Sequence, residues 1–227
     1  MIDQSYSFSF HKRPEGRPVT AQEAEQILIA ALNEGETWDK LWEVARFYST
    51  VGRQDVALTY LERLASLNPG SEDQAKCFLA MGQLQEQRSD FEAALKFYRA
   101  AFQFEPANNG TWYLINNNLG YCLNHFGRHE DAEPYCRAAT RIDPARCNAF
   151  KNLGLSLEGQ GRCAEAAQCF VQAVRADAAD GRALRHLETL LEVHRVEVSF
   201  VVPEIDELLA FCREAVLAAR RVGDRFA

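Results

Sequence analysis

Residues 113–146, YLINNNLGYCLNHFGRHEDAEPYCRAATRIDPAR, are followed directly by residues 147–180, CNAFKNLGLSLEGQGRCAEAAQCFVQAVRADAAD. Laid one over the other, they place Leu119-Gly120 on Leu153-Gly154, Gly127 on Gly161, Ala132 on Ala166, Cys136 on Phe170 and Ala139 on Ala173. Pro144 falls on Ala178. Upstream, residues 75–108 carry Phe78, Met81-Gly82, Ala94, Tyr98, Ala101 and Pro106 in the same order. Residues 38–71 carry Val44-Ala45, Tyr48, Gly52, Ala57, Leu61 and Pro69. Self-similarity at a fixed period is the mark of a stacked repeat architecture.

Each copy reads as two amphipathic helices, A and B. Gly82, Gly120 and Gly154 on A, with Ala57, Ala94, Ala132 and Ala166 on B, are small enough for the helices to cross closely. Phe78, Tyr98, Phe150 and Phe170 fill the gaps between neighbours. Gly52, Gly127 and Gly161 suit a turn that requires positive φ. Pro69, Pro106 and Pro144 stop helix B. One such pair cannot bury its apolar face alone, and stacking on neighbours does so. The spacing from Pro69 to Pro106 is 37 residues and from Pro106 to Pro144 is 38. The additions, around Glu72–Gln74 and Asn109–Trp112, predict about one extra turn at the start of two A helices. Ser71-x-x-Gln74 predicts a capping box at the first of them.

These positions resemble the tetratricopeptide repeat, whose period is about 34 residues. The resemblance covers residues 38–180, with a fifth, partial copy from Gly181. Its departures are local: Ala45 stands for the first Gly, Ser89 for the inter-helix Gly and Cys136 for an aromatic. It implies an all-α, right-handed α-solenoid of helix-turn-helix repeats. The expected organisation is an extended aromatic tail over 1–19 and a single solenoid over 20–223. The solenoid comprises a cap helix at 20–35, repeats 38–71, 75–108, 113–146 and 147–180, and a degenerate fifth repeat with a C-terminal cap helix over 181–223. Thr20-x-x-Glu23 reads as the capping box of the first helix. Pro203, followed by Glu204, Asp206 and Glu207, suits the start of the last. The β-branched run Val196–Val202 reads as non-helical. In the tail, Tyr6, Phe8 and Phe10 alternate with serines, so all three rings share one side if it is extended; such a tail could dock along the groove or on Val196–Val202.

The resemblance also implies a concave groove, lined by A helices, that holds an extended peptide. Carried over by repeat position, its residues are Trp42, Arg46, Leu79, Gln83, Leu114, Asn117, Asn118, Tyr121, Asn148, Lys151, Asn152, Leu155, Arg182, Arg185 and His186. The middle is apolar, with Leu79, Leu114, Tyr121 and Leu155. Lys151, Arg182, Arg185 and His186 make a basic C-terminal end. Asn118-Leu119-Gly120 and Asn152-Leu153-Gly154 resemble the asparagine ladder of the O-linked N-acetylglucosamine transferase superhelix. An Asn amide both donates and accepts, so it can pair with a peptide backbone. The carboxylate clamp of chaperone-binding repeats is met at Asn152, Arg182 and His186 and missed at Asn117 and Tyr121. The expected partner is therefore a protein or peptide with an acidic residue or free C-terminal carboxylate. For any one of these residues, a plain solvated face is the alternative.

The 227 residues are 47% hydrophobic and 25% charged, with a net charge of −7. That balance suits a globular protein and speaks against a dedicated nucleic-acid binder. No apolar run approaches the ~20 residues of a membrane span, and Met1–Thr20 lacks an export signal. Seven cysteines without paired spacing point to free thiols and a cytoplasmic location. No HExxH, GxSxG, P-loop or GxGxxG motif occurs, so neither catalysis nor a cofactor is expected. Cys122, His125, His129 and Cys136 offer thiolate and imidazole in a zinc-like order. The turn at Gly127 interrupts their helical spacing, and both cysteines fall on core positions. A metal- or redox-responsive regulator built on them is one alternative function. Another is a self-assembling oligomer, such as a homodimer, that uses Trp38, Trp112 or the last helix. Cys147 opens an A helix, where the helix dipole could activate its thiol.

Overall fold

A computed structural model of the chain describes residues 20–67 and 70–223. The aromatic tail and Pro69 lie outside the described residues. Those residues form eleven α-helices and no strand, in two compact units divided between Phe104 and Glu105. The first unit holds α1 (Ala21–Asn33), α2 (Trp38–Thr50), α3 (Gln54–Ser66), α4 (Ser71–Gln87) and α5 (Phe91–Phe102). The second holds α6 (Asn109–His125), α7 (His129–Ile142), α8 (Cys147–Gly159), α9 (Cys163–Ala176), α10 (Arg182–Val201) and α11 (Ile205–Gly223). Within each unit, helices pack mainly on their neighbours in sequence, as a stack of helix pairs requires. No described helix is long and apolar enough to cross a membrane.

The small residues of the repeat sit where A and B helices meet. Ala45, Gly82, Gly120 and Gly154 lie 16 residues before Leu61, Tyr98, Cys136 and Phe170. A Cβ on Gly82 would stand 2.4 Å from Tyr98 Cε1, one on Gly154 2.5 Å from Phe170 Cε1, and one on Gly120 2.3 Å from Cys136 Sγ. In the first repeat the roles shift, with a buried Ala45 set against a smaller Leu61. Ala57, Ala94, Ala132 and Ala166 are each fully buried.

The inter-helix turns share one geometry. Gly52, Gly127 and Gly161 have φ of +78°, +70° and +75°, and Ser89 holds the same place at +62°. In all four turns the next N–H reaches back five residues, as from Arg53 to Tyr48 O at 2.8 Å and from Asp90 to Gln85 O at 2.9 Å. That closure forces the left-handed region, which costs a residue with a Cβ roughly 1–2 kcal/mol. Ser89→Gly is therefore expected to stabilise the first unit by about 0.5–1 kcal/mol, after the entropy that glycine gains on unfolding is subtracted. Chemical denaturation of the two proteins measures it directly.

Both expected helical extensions are present. α4 and α6 have 17 residues, against 13 in α2 and α8. Their starts differ from expectation at α4, where Gly70 is the N-cap and no side chain caps the helix. Ser71 lies inside that helix, and Gln74 Nε2 instead donates to Ala65 O at 3.2 Å. Asn108 caps α6, its Oδ1 accepting from Thr111 N at 3.0 Å. At the N-terminus, the Thr20–Glu23 capping box forms as read. The Val196–Val202 reading is corrected: α10 runs through to Val201, with a kink at His194 (φ −112°, ψ 16°). Burial of Val198 and Val202 against α9 and α11 outweighs the weak helical preference of β-branched side chains.

Candidate functional site

In the first unit the A helices offer little free surface. Trp42 stacks on Trp38 with ring centres 5.2 Å apart, which spends both rings within α2. Arg46 is exposed and pairs with Glu43 at 3.2 Å. Leu79 is buried, which removes it from the expected apolar floor. Gln83 is half-buried.

The second unit gathers the remaining candidates on α6, α8 and α10. Asn117 and Asn152 are buried and bonded to each other, with Asn152 Nδ2 donating to Asn117 Oδ1 at 3.1 Å. Asn117 Nδ2 donates in turn to Asn118 Oδ1 at 3.1 Å. Deeper along the same seam, Asn124 Nδ2 donates to Asn152 O at 2.8 Å, and Ser156 Oγ donates to Asn124 Oδ1 at 2.9 Å. Asn117 and Asn152 thus bind α6 to α8. Asn152 Oδ1 is buried and has no hydrogen-bond donor. Leu114, Tyr121 and Leu155 remain partly exposed. Tyr121 and Leu155, with Asn124, His125, His129, Glu158 and Gly159, line a depression of about 330 Å³.

The basic end contains a carboxylate that the repeat positions do not reveal. Asp180, in the turn before α10, takes Arg182 Nε on Oδ1 at 2.7 Å and Arg182 Nη2 on Oδ2 at 2.5 Å. Those bonds hold its carboxyl far below the usual carboxylate range. Lys151 is buried; its Nζ donates to Asn148 Oδ1 at 2.7 Å and lies 3.9 Å from Asp180 Oδ2. Burial, with Arg182 adding to it, pushes the Lys151 ammonium below its ordinary value although Asp180 pulls the other way. Arg182 Nη2 also reaches Asn148 Oδ1 at 3.2 Å. His186 stacks on Phe170 at 5.4 Å, and burial together with Lys151, Arg185 and Arg182 favours its neutral form. Arg185 is exposed. The basic end is therefore a closed set of Lys151, Asn148, Arg182 and Asp180 flanked by one open guanidinium.

The thiols and imidazoles of the sequence motif do not converge. Cys122 and Cys136 are fully buried, Cys136 Sγ lies 3.7 Å from Ser156 Oγ, and His129 Nδ1 is 3.1 Å from Asn124 Oδ1. Cys147 is not activated. Burial, then Asp180 and Asp177, raise its pKa, and its Sγ lies 3.7 Å from Asp180 Oδ2. All seven cysteines are free thiols. Trp38, proposed as a dimer contact, is half-buried beneath Trp42.

The profile of the tetratricopeptide repeat family matches residues 113–146 and 151–194. Human tetratricopeptide repeat protein 7B is 27% identical over 143 residues, which is 63% of this chain and 16% of that protein. The small glutamine-rich tetratricopeptide repeat-containing protein 2 of Mycosarcoma maydis is 30% identical over 111 residues, 48% of this chain and 30% of that one. The chain thus spans less than a third of either relative. Among solved structures, YrrB, described as a TPR protein with an unusual peptide-binding site, superposes with a TM-score of 0.63 at 18% identity. That superposition covers 87% of this chain and 97% of YrrB.

Proposed function

The chain is a tetratricopeptide repeat protein, and on that footing we propose that it is a non-catalytic protein-interaction scaffold whose A helices take an extended partner segment. The observation that carries this reading is the α6–α8–α10 face, where Tyr121 and Leu155 offer apolar contact beside Lys151, Arg182 and Arg185. Asp180 occupies the cation pair that an incoming carboxylate would use. The preferred partner therefore presents an acidic side chain or a C-terminal carboxylate to Arg185 and competes with Asp180 for Arg182. The free thiols suit a reducing, cytoplasmic setting.

The test is fluorescence anisotropy with a peptide ending in a free carboxylate and with its C-terminal amide. Arg185→Glu is expected to weaken the acid about tenfold, the size of one charge-assisted hydrogen bond. Asp180→Asn removes the internal competitor and is expected to tighten the acid and steepen its dependence on salt, whereas Arg185→Glu flattens it. Equal binding of acid and amide by the unmodified protein would overturn the carboxylate preference.

Self-assembly is a second reading with an observation of its own. Val193, Val196 and Phe200 on α10 are 76%, 84% and 89% exposed, an apolar row that water does not favour. Light scattering against concentration separates a monomeric scaffold from an oligomer joined through that row.

A further inference from the structure

We propose that Cys163, His194 and Glu197 form a zinc(II) site that pins the bend of α10 to the start of α9. Among the described residues these three alone bring Cys, His and carboxylate ligand atoms together, all within 4.8 Å of one another. Their chemistry is a zinc set: a thiolate and an imidazole of intermediate softness with one hard oxygen. Tetrahedral zinc with ordinary bond lengths sets ligand atoms about 3.3–3.8 Å apart, so closure requires only small side-chain rotations. His194 Nδ1 and Glu197 Oε2 are already 3.2 Å apart.

The fold supplies the constellation from separate elements. Cys163 is the first residue of α9 and is 3% exposed. His194 is the residue at which α10 leaves helical geometry, and Glu197 follows one turn later. The approach is open on one side, since the His194 and Glu197 side chains are 42% and 56% exposed. A cation can therefore enter from solvent and meet a buried sulfur at the back. The fourth coordination position falls to water. Nearby arginines are committed elsewhere, Arg162 to Glu133 and Glu165, and Arg195 to Asp206.

Coordination breaks the Cys163 S–H bond and forms an S–Zn bond; the proton passes to solvent and no electron moves. Bound metal would join the start of α9 to the α10 kink and the turn that follows it, and hold the exposed row of Val193, Val196 and Phe200 in one orientation. The role is structural.

Cobalt(II) is the optical probe and zinc(II) the stability probe, each added to the full chain after chelator treatment. The expected result is one metal per chain, a near-ultraviolet thiolate-to-cobalt band, and a rise in Tm with zinc. Cys163→Ser should abolish the band, and His194→Gln should weaken metal affinity at least about tenfold. Cys163 is buried, so its variant is checked for folding by circular dichroism. His194→Gln, at a partly exposed position, gives the independent reading if that variant unfolds. Cys122→Ser and Cys136→Ser serve as controls and should retain the band. Absence of a cobalt band in the unmodified chain, or a full-strength band in folded His194→Gln, would overturn the proposal.

Discussion

Gly154→Val is expected to destabilise the second unit by about 3 kcal/mol, the upper end of what overpacking a dense core costs. The Cβ alone would lie 2.5, 2.7 and 2.9 Å from Phe170 Cε1, Cδ1 and Cζ. Phe170 is fully buried and stacked on His186, so its ring has no room to retreat. For a chain of this size the loss corresponds to a fall in Tm of roughly 6–12 °C. Gly70→Ala provides the comparison: nothing lies within 4 Å of its Cβ, so the change should cost only the ~1 kcal/mol or less by which alanine is the poorer N-cap. A second comparison isolates the contact. Gly154→Ala combined with Phe170→Leu recreates the Ala45 and Leu61 pair of the first repeat, and should cost less than the sum of the two single changes. Additive costs would show that the ring contact is not what fixes residue 154 as glycine.

Asn152→Asp is expected to cost about 3 kcal/mol or more at neutral pH, the scale of a buried charge left without its partner. The carboxylate would face Asn117 Oδ1 with no proton to donate, where the amide now donates at 3.1 Å. Asn152 Oδ1 has no donor at all, so one of the two new oxygens would inherit an unpaired place. Burial raises the folded-state pKa of such an aspartate above its unfolded value. The penalty is then absent below the unfolded value and grows as pH rises from there to the folded value. Relative to the unmodified protein at the same pH, the variant's deficit should shrink on acidification. Urea titrations at neutral and mildly acidic pH measure this, and a pH-independent deficit would assign the loss to packing.

The repeat frame was legible because it is carried by backbone contacts. Glycine or alanine at one offset, a buried apolar residue sixteen later (Leu61, Tyr98, Cys136 or Phe170) and a positive-φ turn between them leave a trace in any single sequence. The longer starts of α4 and α6 were equally visible in the spacing of Pro69, Pro106 and Pro144. The site was less legible, since neighbouring residues on a helix differ in direction by a third of a turn. Asn117 and Asn118 are consecutive, yet Asn117 is buried against α8 while Asn118 is partly exposed. Position within a repeat gives the helix but not the partner that the next helix provides. Asp180 escaped notice because it belongs to a turn, outside the pattern of A-helix positions, and only its reach to Lys151 and Arg182 makes it part of the face. Cys163, His194 and Glu197 are 31 and 3 residues apart and lie on two helices, so no contiguous motif announces them. The run at Val196–Val202 misled for a different reason. Local preference for extended backbone is worth tenths of a kcal/mol per residue, and burial of Val198 and Val202 exceeds it.

The buried sulfurs have a practical meaning. Burial raises the thiols of Cys77 and Cys136 to about 12. Alkylating reagents attack the thiolate, so at neutral pH these side chains are inert while their helices stay closed. Each becomes reactive when the surrounding turns part. Cys77 belongs to the first unit and Cys136 to the second. The rate at which each acquires a label is thus a local clock of opening, one in each half of the chain. Equal rates would mean that the halves breathe together, and unequal rates that one half opens while the other keeps its sulfur hidden.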